Sequence, residues 1–259
     1  MKNQSGWLPV HEGESGDRVF RSSDGRSYAK LAAGARALEL AGERDRLGWL
    51  AARGFASPVP QDWRENEDGA CLVMSAVPGV PAVTLAGDDL LKAWPSMAGQ
   101  LAAMHALPVE DCPFEKSLSG MFARAADVVA RDAVNPDFLP EDDRNEPGIV
   151  LLARVEAEMP QRLAQERADR VVCHGDPCLP NFMVDPQTLR CTGLIDLGRL
   201  GVADRYGDLA LMLANASESW TRRAQAKKAI DILFSVLKIE APDEGRLAFY
   251  LRLDPLTWG

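Results

Sequence analysis

The spacing of apolar positions changes period along the chain. Near the N-terminus they fall in short runs. Val19-Phe20-Arg21 and Ser27-Tyr28-Ala29-Lys30-Leu31 flank Asp24-Gly25, which predicts two strands joined by a tight turn. From Arg36 to Arg53 the period becomes helical, with Leu40, Leu47 and Leu50 on one face and Gly54 as a stop signal. Cys71-Leu72-Val73-Met74 reads as a short buried strand ended by Pro78-Gly79. Beyond it the chain is mostly helical. Leu90, Trp94, Met97, Leu101 and Met104 recur at steps of four and three, with Asp88 or Asp89 placed to cap the helix and Pro95 placed to kink or divide it. Residues 118–134 and 149–168 predict further helices, separated by a loop over 135–140. Strand returns at Val171-Val172-Cys173. Phe182-Met183-Val184 and Cys191-Thr192-Gly193-Leu194-Ile195 then flank the turn Asp185-Pro186-Gln187-Thr188, and helices resume near Tyr206. The change of composition near Val77 predicts a boundary between a strand-rich part, 1–76, and a mostly helical part, 77–259.

At 259 residues the chain is long enough to build a core without disulfide or metal staples. Its 46% hydrophobic and 26% charged residues exclude disordered and disulfide-scaffold classes. The formal charge of −9 argues against a nucleic-acid partner, whose phosphates need cationic neutralisation. The acidity is uneven. Glu110–Asp169 holds fourteen acids against seven bases, whereas 171–259 holds eleven against ten. A solvated helical surface is the default reading of any one such charge; a stretch this lopsided also suits a small cationic ligand. No apolar leader with a small-residue cleavage site begins the sequence. The uncharged stretch Gly69–Gly87 carries Pro78 and Pro81, so it is no spanning helix. The five cysteines form no C-x-x-C pair, which points to free thiols. A cytoplasmic monomer without a membrane partner is expected.

The chemistry is concentrated in His174-Gly175-Asp176, Asn181 and Ile195-Asp196-Leu197-Gly198-Arg199. A strand ending at Cys173 delivers Asp176 in a tight loop, Asn181 opens the next strand, and the hairpin returns the chain to Asp196. This predicts two carboxylates and one amide oxygen at the same end of one small sheet. Such hard oxygen donors suit Mg²⁺, which uses one or two carboxylates together with substrate phosphates. Phosphoryl transfer needs a metal on the phosphate oxygens and a separate carboxylate on the hydroxyl proton. Asn181 and Asp196 fit the first task and Asp176 the second. Each tripeptide alone is an ordinary turn; it is their combination at this separation that points to chemistry. Glu43 adds a second constellation. It lies three residues after Leu40 and four before Leu47, on the apolar side of its helix, where a carboxylate needs a cation. Lys30 is the candidate.

With His174-Gly-Asp176, Asn181, Ile195-Asp-Leu-Gly-Arg199 and Asp204-Arg-Tyr-Gly-Asp208-Leu-Ala, the chain resembles the aminoglycoside phosphotransferases, relatives of the protein kinases. Within that family it is similar to the streptomycin 3''-phosphotransferases. That narrower likeness rests on Gly13-Glu-Ser-Gly-Asp17, Leu91-Lys-Ala-Trp-Pro-Ser96, Cys173-His-Gly-Asp-Pro-Cys178 and Arg246-Leu-Ala-Phe-Tyr-Leu-Arg-Leu-Asp-Pro-Leu-Thr-Trp258. The resemblance implies an α+β, bilobal, protein-kinase-like fold, with a small β-rich N-lobe and a larger, mostly helical C-lobe. It implies ATP and Mg²⁺ as donor and metal, streptomycin as a small cationic acceptor, and antibiotic resistance as the outcome.

The resemblance also assigns residues. Asp176 is the catalytic aspartate, and Asn181 and Asp196 are the metal ligands. Lys30 contacts the nucleotide phosphates and is positioned by Glu43. Ser15, in the glycine-containing loop Glu12–Asp17, covers the triphosphate. The backbone of Ser75 and Val77 receives the adenine edge. His174 and Asp208 brace the catalytic loop, with a helix cap as the simpler alternative for Asp208, and Arg199 lies beside the metal loop. Asp254 receives a guanidinium of the acceptor; Pro255 stands where many relatives have a second acid. Other readings stay open at this point. They are a kinase of the same fold acting on another aminoglycoside, choline or a sugar; a nucleotide-binding pseudokinase; and a metal-dependent phosphohydrolase.

Overall fold

The structure is a computed structural model that describes residues 6–10 and 18–259. In chain order its regular elements begin with β1 (Trp7–Val10), β2 (Arg18–Ser22), β3 (Ser27–Ala32), α1 (Arg36–Ala51), β4 (Pro60–Asn66), β5 (Gly69–Ser75) and β6 (Val80–Pro81). Three long helices follow: α2 (Gly87–His105), α3 (Leu118–Ala130) and α4 (Gly148–Ala168). Then come β7 (Arg170–Cys173), β8 (Phe182–Val184), β9 (Cys191–Leu194), β10 (Gly201–Asp204), α5 (Arg205–Asn215), α6 (Arg223–Val236) and α7 (Glu244–Leu253).

The chain divides into two compact units. One comprises 1–82 with 180–199, and the other 83–179 with 200–259. The sequence boundary at residue 76 lies close to the first division, but the hairpin of β8 and β9 joins the first unit although its residues come from the second half of the chain. Backbone pairing accounts for this. β6 pairs with β8, and Leu194 N–H donates to Ala56 C=O at 3.0 Å.

In the first unit, five antiparallel strands run in the order β1-β2-β3-β5-β4. β5 alternates half-buried and buried positions, so Ala70, Leu72 and Met74 share the covered face. The covering helix α1 buries Ala37, Leu40, Leu47 and Leu50 at helical spacing. Glu43 is buried within that stripe, at 6% exposure. β1 and β4 are edge strands; β4 is mostly polar and exposed, and β1 is a four-residue run interrupted by Pro9, so neither shows the alternation of a half-buried strand.

In the second unit, α2 runs unbroken through Pro95 and buries the whole stripe from Leu90 to Met104. Its N-terminus takes no side-chain cap; Asp88 instead accepts from Gln225 Nε2 of α6 at 2.8 Å and pairs with Arg222. Trp94 is fully buried, donates Nε1–H to Ala229 C=O at 2.8 Å and meets Trp220 edge-on at 5.2 Å. β7 pairs with β10, not with the β8–β9 hairpin. This corrects the expectation of one shared sheet: the strand that delivers Asp176 and the hairpin that carries Asn181 and Asp196 belong to separate sheets. The strand β10 itself was hidden because its four residues immediately precede a helix of stronger period.

Gly193 meets the backbone of residue 56 so closely that a Cβ there would approach Ala56 O to 2.6 Å. Gly193→Ala is expected to destabilise the protein by about 2 kcal/mol. Gly99→Ala, in the open interior of α2 with nothing within 4 Å of a new Cβ, is expected to leave stability unchanged or raise it slightly. Paired thermal melts of the two variants check this.

Candidate active site

The loop that carries Asp176 is organised by the second unit. β7 ends at Cys173, and Gly175 adopts φ 88°, a left-handed turn that favours glycine. In the first turn of α5, Asp208 accepts the N–H of His174 on Oδ2 and of Gly175 on Oδ1, both at 2.8 Å. His105 Nε2, at the end of α2, lies 3.0 Å from the same Oδ2. His174 is fully buried, and its Nδ1 accepts from the Asp176 N–H at 3.2 Å. At the far end of the loop, Leu179 N–H donates to Asn215 Oδ1 at 2.7 Å. Asp208 and Asn215 are seven residues apart, two turns of helix, and so share one face of α5. One helix therefore grips the loop on both sides of the half-buried Asp176.

Asp208 is not the helix cap. That role belongs to Asp204, whose carboxylate accepts from the Tyr206 N–H at 2.9 Å. Burial alone would push the Asp208 carboxyl up, but His105, His174 and the Gly175 N–H outweigh it and hold it below its ordinary value. His105, Cys173 and Asp208 lie within 4.8 Å of one another, a geometry that a metal could use. Their chemistry fits a brace instead. The carboxylate already engages three nitrogens, and burial pushes the Cys173 thiol well up, away from the thiolate that binds metals.

The first unit carries an ion cluster drawn from distant parts of the chain. Lys30 Nζ lies 2.9 Å from both Glu43 oxygens and 2.8 Å from Asp196 Oδ1. Burial alone would push the Lys30 ammonium down; Glu43 and Asp196 outweigh it and hold it above its ordinary value. Asp196 is a non-glycine residue in the left-handed region, at φ 59°, and its side chain is 46% exposed. Asn181 is buried, and its C=O accepts from the Ile195 N–H at 2.9 Å, which ties the two ends of the hairpin together. An amide oxygen, a carboxylate and an ammonium group thus sit on one folded unit, with Gly198 packed against Glu43.

Residues 6–250 match the phosphotransferase enzyme family. The chain belongs to this family. It is 51% identical to the streptomycin 3''-kinase of Streptomyces griseus, over 98% of this chain and 93% of that protein. It is 37% identical to an aminoglycoside 3'-phosphotransferase of Streptomyces fradiae, over 96% of this chain and 94% of that one. Among solved structures it is similar to aminoglycoside phosphotransferase APH(3'')-Id from Streptomyces rimosus in complex with ADP and streptomycin. The TM-score is 0.92 and the identity 47%, covering 100% of this chain and 95% of that one. The fold is accordingly the kinase-like fold of the family, with one five-stranded sheet and a mostly helical remainder.

The remaining residues of interest in this phosphotransferase occupy defined places. Ser75 ends β5, and its Oγ accepts from the Val59 N–H at 2.9 Å. Val77 follows it and packs on Gly193. Arg199 is half-buried at the end of the hairpin segment. Asp254 begins a short 3₁₀ turn after α7 and is buried, at 8% exposure. Ser15 and its loop lie outside the described residues. Two residues that hold the Asp176 loop, His105 and Asn215, escaped the sequence reading. A histidine and an asparagine in the last turns of helices read as C-terminal helix signals, and nothing in their spacing ties them to the His-Gly-Asp tripeptide.

Because Asp208 is held below its ordinary carboxyl value of 3.8, it stabilises the folded state at neutral pH. That contribution is lost as pH falls below 3.8 and through the lower folded value. Asp208→Asn is expected to lower stability at pH 7 by about 2–4 kcal/mol and to flatten the acid limb of a stability-against-pH curve. Denaturant titrations between pH 3 and pH 7 check both effects.

Proposed function

We propose that this protein transfers the γ-phosphate of ATP to the 3''-hydroxyl of streptomycin and so confers aminoglycoside resistance. The observation that carries a kinase reading is the Lys30 ammonium held between Glu43 and Asp196, a charge cluster assembled from positions 166 residues apart in sequence. The streptomycin kinase of Streptomyces griseus and the streptomycin complex of APH(3'')-Id support the choice of acceptor.

Each residue has a role in this reading. Lys30 neutralises the α- and β-phosphates, and Glu43 fixes its position. The backbone of Ser75 and Val77 receives the adenine edge, and Ser15 covers the triphosphate. Asn181 and Asp196 offer an all-oxygen donor set that fits a hard divalent cation. Bound there, Mg²⁺ would neutralise charge on the phosphate oxygens. Asp176 orients the acceptor hydroxyl. The hydroxyl oxygen bonds to the γ-phosphorus, the β–γ bridging oxygen leaves with ADP, and the hydroxyl proton passes to Asp176. His174, Asp208 and Arg199 support that arrangement. Asp254 pairs with a guanidinium of the acceptor. The product carries added negative charge and bulk, which opposes its binding at the ribosome.

The protein acts in the cytoplasm as a monomer in this reading. All five cysteines are free thiols, which supports a reducing compartment. Among the described residues no helix is long and apolar enough to cross a membrane.

ATP consumption measured against streptomycin, a kanamycin-type drug, choline and simple sugars tests the assignment. Turnover with streptomycin is expected; turnover with only the non-drug alcohols overturns it. Asp176→Asn is expected to bind ATP normally and lose about 10²–10⁴-fold in turnover. Asp196→Ala is expected to weaken the use of MgATP severely, read as activity over a Mg²⁺ titration.

A further inference from the structure

The acceptor reading names one carboxylate, Asp254, on a short 3₁₀ turn (Asp254–Thr257) that follows α7. A carboxylate this buried needs donors to replace water. One is four residues further on: Trp258 Nε1–H donates to Asp254 Oδ2 at 3.0 Å. An indole nitrogen only donates, so the sense of this bond is fixed.

The indole is itself held from several sides. Thr257 Oγ1–H donates to Asp254 C=O at 2.7 Å, and Arg124 of α3 donates Nε–H to Thr257 C=O at 2.8 Å. The Phe138 ring, from the 3₁₀ turn Pro136–Phe138, meets the indole edge-on at 6.0 Å and 63°. On the other side of the indole in sequence, Gly259 lies so close to Ala133 that a Cβ on it would approach the Ala133 carbonyl oxygen to 2.5 Å. The Trp258 backbone and ring are therefore pinned to α3 and to the segment after it, and the Asp254 carboxylate is pinned to Trp258.

We propose that Trp258 is a positioning residue for acceptor recognition. Its indole N–H fixes the plane of the Asp254 carboxylate in the orientation that receives a guanidinium group of the acceptor. The inference rests on Asp254 being an acceptor-binding residue. The physical reason for such a device is that a guanidinium makes two parallel hydrogen bonds only to a carboxylate held in a matching plane. A carboxylate free to rotate loses that freedom on binding, and affinity falls accordingly. Each carboxylate oxygen carries two lone pairs, so the indole bond does not exhaust Oδ2. Phe138, by bracing the indole, links the acceptor carboxylate to the acidic segment between α3 and α4.

Steady-state kinetics of Trp258→Phe, Asp254→Asn and the double variant test this. Trp258→Phe keeps an aromatic ring on the Phe138 side and removes the N–H together with part of the indole's area. It is expected to raise KM for streptomycin about tenfold, the size of a lost hydrogen bond to a charged group, while KM for ATP and kcat stay within about twofold. Asp254→Asn is expected to raise KM for streptomycin at least as much. The double variant is expected to behave like Asp254→Asn alone, because Trp258 acts through that carboxylate. If Asp254→Asn raises KM and Trp258→Phe does not, or if the two effects multiply in full, the positioning role is overturned and the acceptor role of Asp254 stands. If Asp254→Asn leaves KM for streptomycin unchanged, the acceptor role falls and takes the proposal with it. Should Trp258→Phe also shift KM for ATP, a sign of general damage, Trp258→His replaces it. That variant keeps a ring N–H and is expected to hold KM for streptomycin near the parent value; a tenfold rise with unchanged KM for ATP overturns the proposal.

Discussion

A buried carboxylate and two backbone N–H groups solve each other's problem at the centre of the second unit. Asp208 is almost fully buried and must find donors; the N–H groups of His174 and Gly175 leave a strand at a sharp turn and must find an acceptor. Their mutual satisfaction fixes the path of the chain immediately before Asp176. Gly175 permits the left-handed turn that presents both N–H groups to one carboxylate. His105 completes the ring of donors, and Asn215, two turns along the same helix, secures the exit of the loop at Leu179. The loop is irregular in conformation, yet hydrogen bonds hold it on both sides of Asp176.

The first unit follows the same logic with charges in place of backbone groups. Glu43 lies inside an apolar helix stripe, and its carboxylate is tolerable there because Lys30 meets both oxygens. Lys30 in turn reaches Asp196 on the hairpin segment. A helix, a strand and a hairpin from distant parts of the sequence are therefore coupled through one ammonium group. Lys30 is the cation facing two carboxylates in this cluster, so its loss would take its counter-charge from Glu43 and Asp196 together, whereas loss of either carboxylate leaves it paired with the other.

The strongly periodic elements were readable from sequence. The α1 and α2 stripes bury what their spacing says they bury, and the strands around Asp24-Gly25 pair as a hairpin. Glu43 was readable for the same reason, since a charge at a core position of a helix demands a partner. The edge strands β1 and β4 were not: β4 is mostly polar, and β1 is only four residues long with a proline inside it. Nor was the pairing of β7 with β10. Strand pairing depends on which segments meet, and two short apolar runs carry no label saying which partner each will take. His105, Asn215 and Trp258 share that difficulty. Each is an unremarkable residue in its own neighbourhood and gains its role from a partner brought near by folding.

The order of residues along the chain set the chemistry available: an oxygen-rich motif pair, a lysine with a matching buried glutamate, a family likeness along the chain, and an uneven acidic surplus. These are local properties of residue type and spacing. Tertiary structure alone decided which groups support that chemistry. It put the strand that leads to Asp176 and the hairpin between Asn181 and Asp196 in separate sheets, made α5 the anchor of the loop, and set an indole on the Asp254 carboxylate. Hydrogen bonds and ion pairs depend on distances of a few ångströms between groups far apart in sequence, and only the packed chain sets those distances.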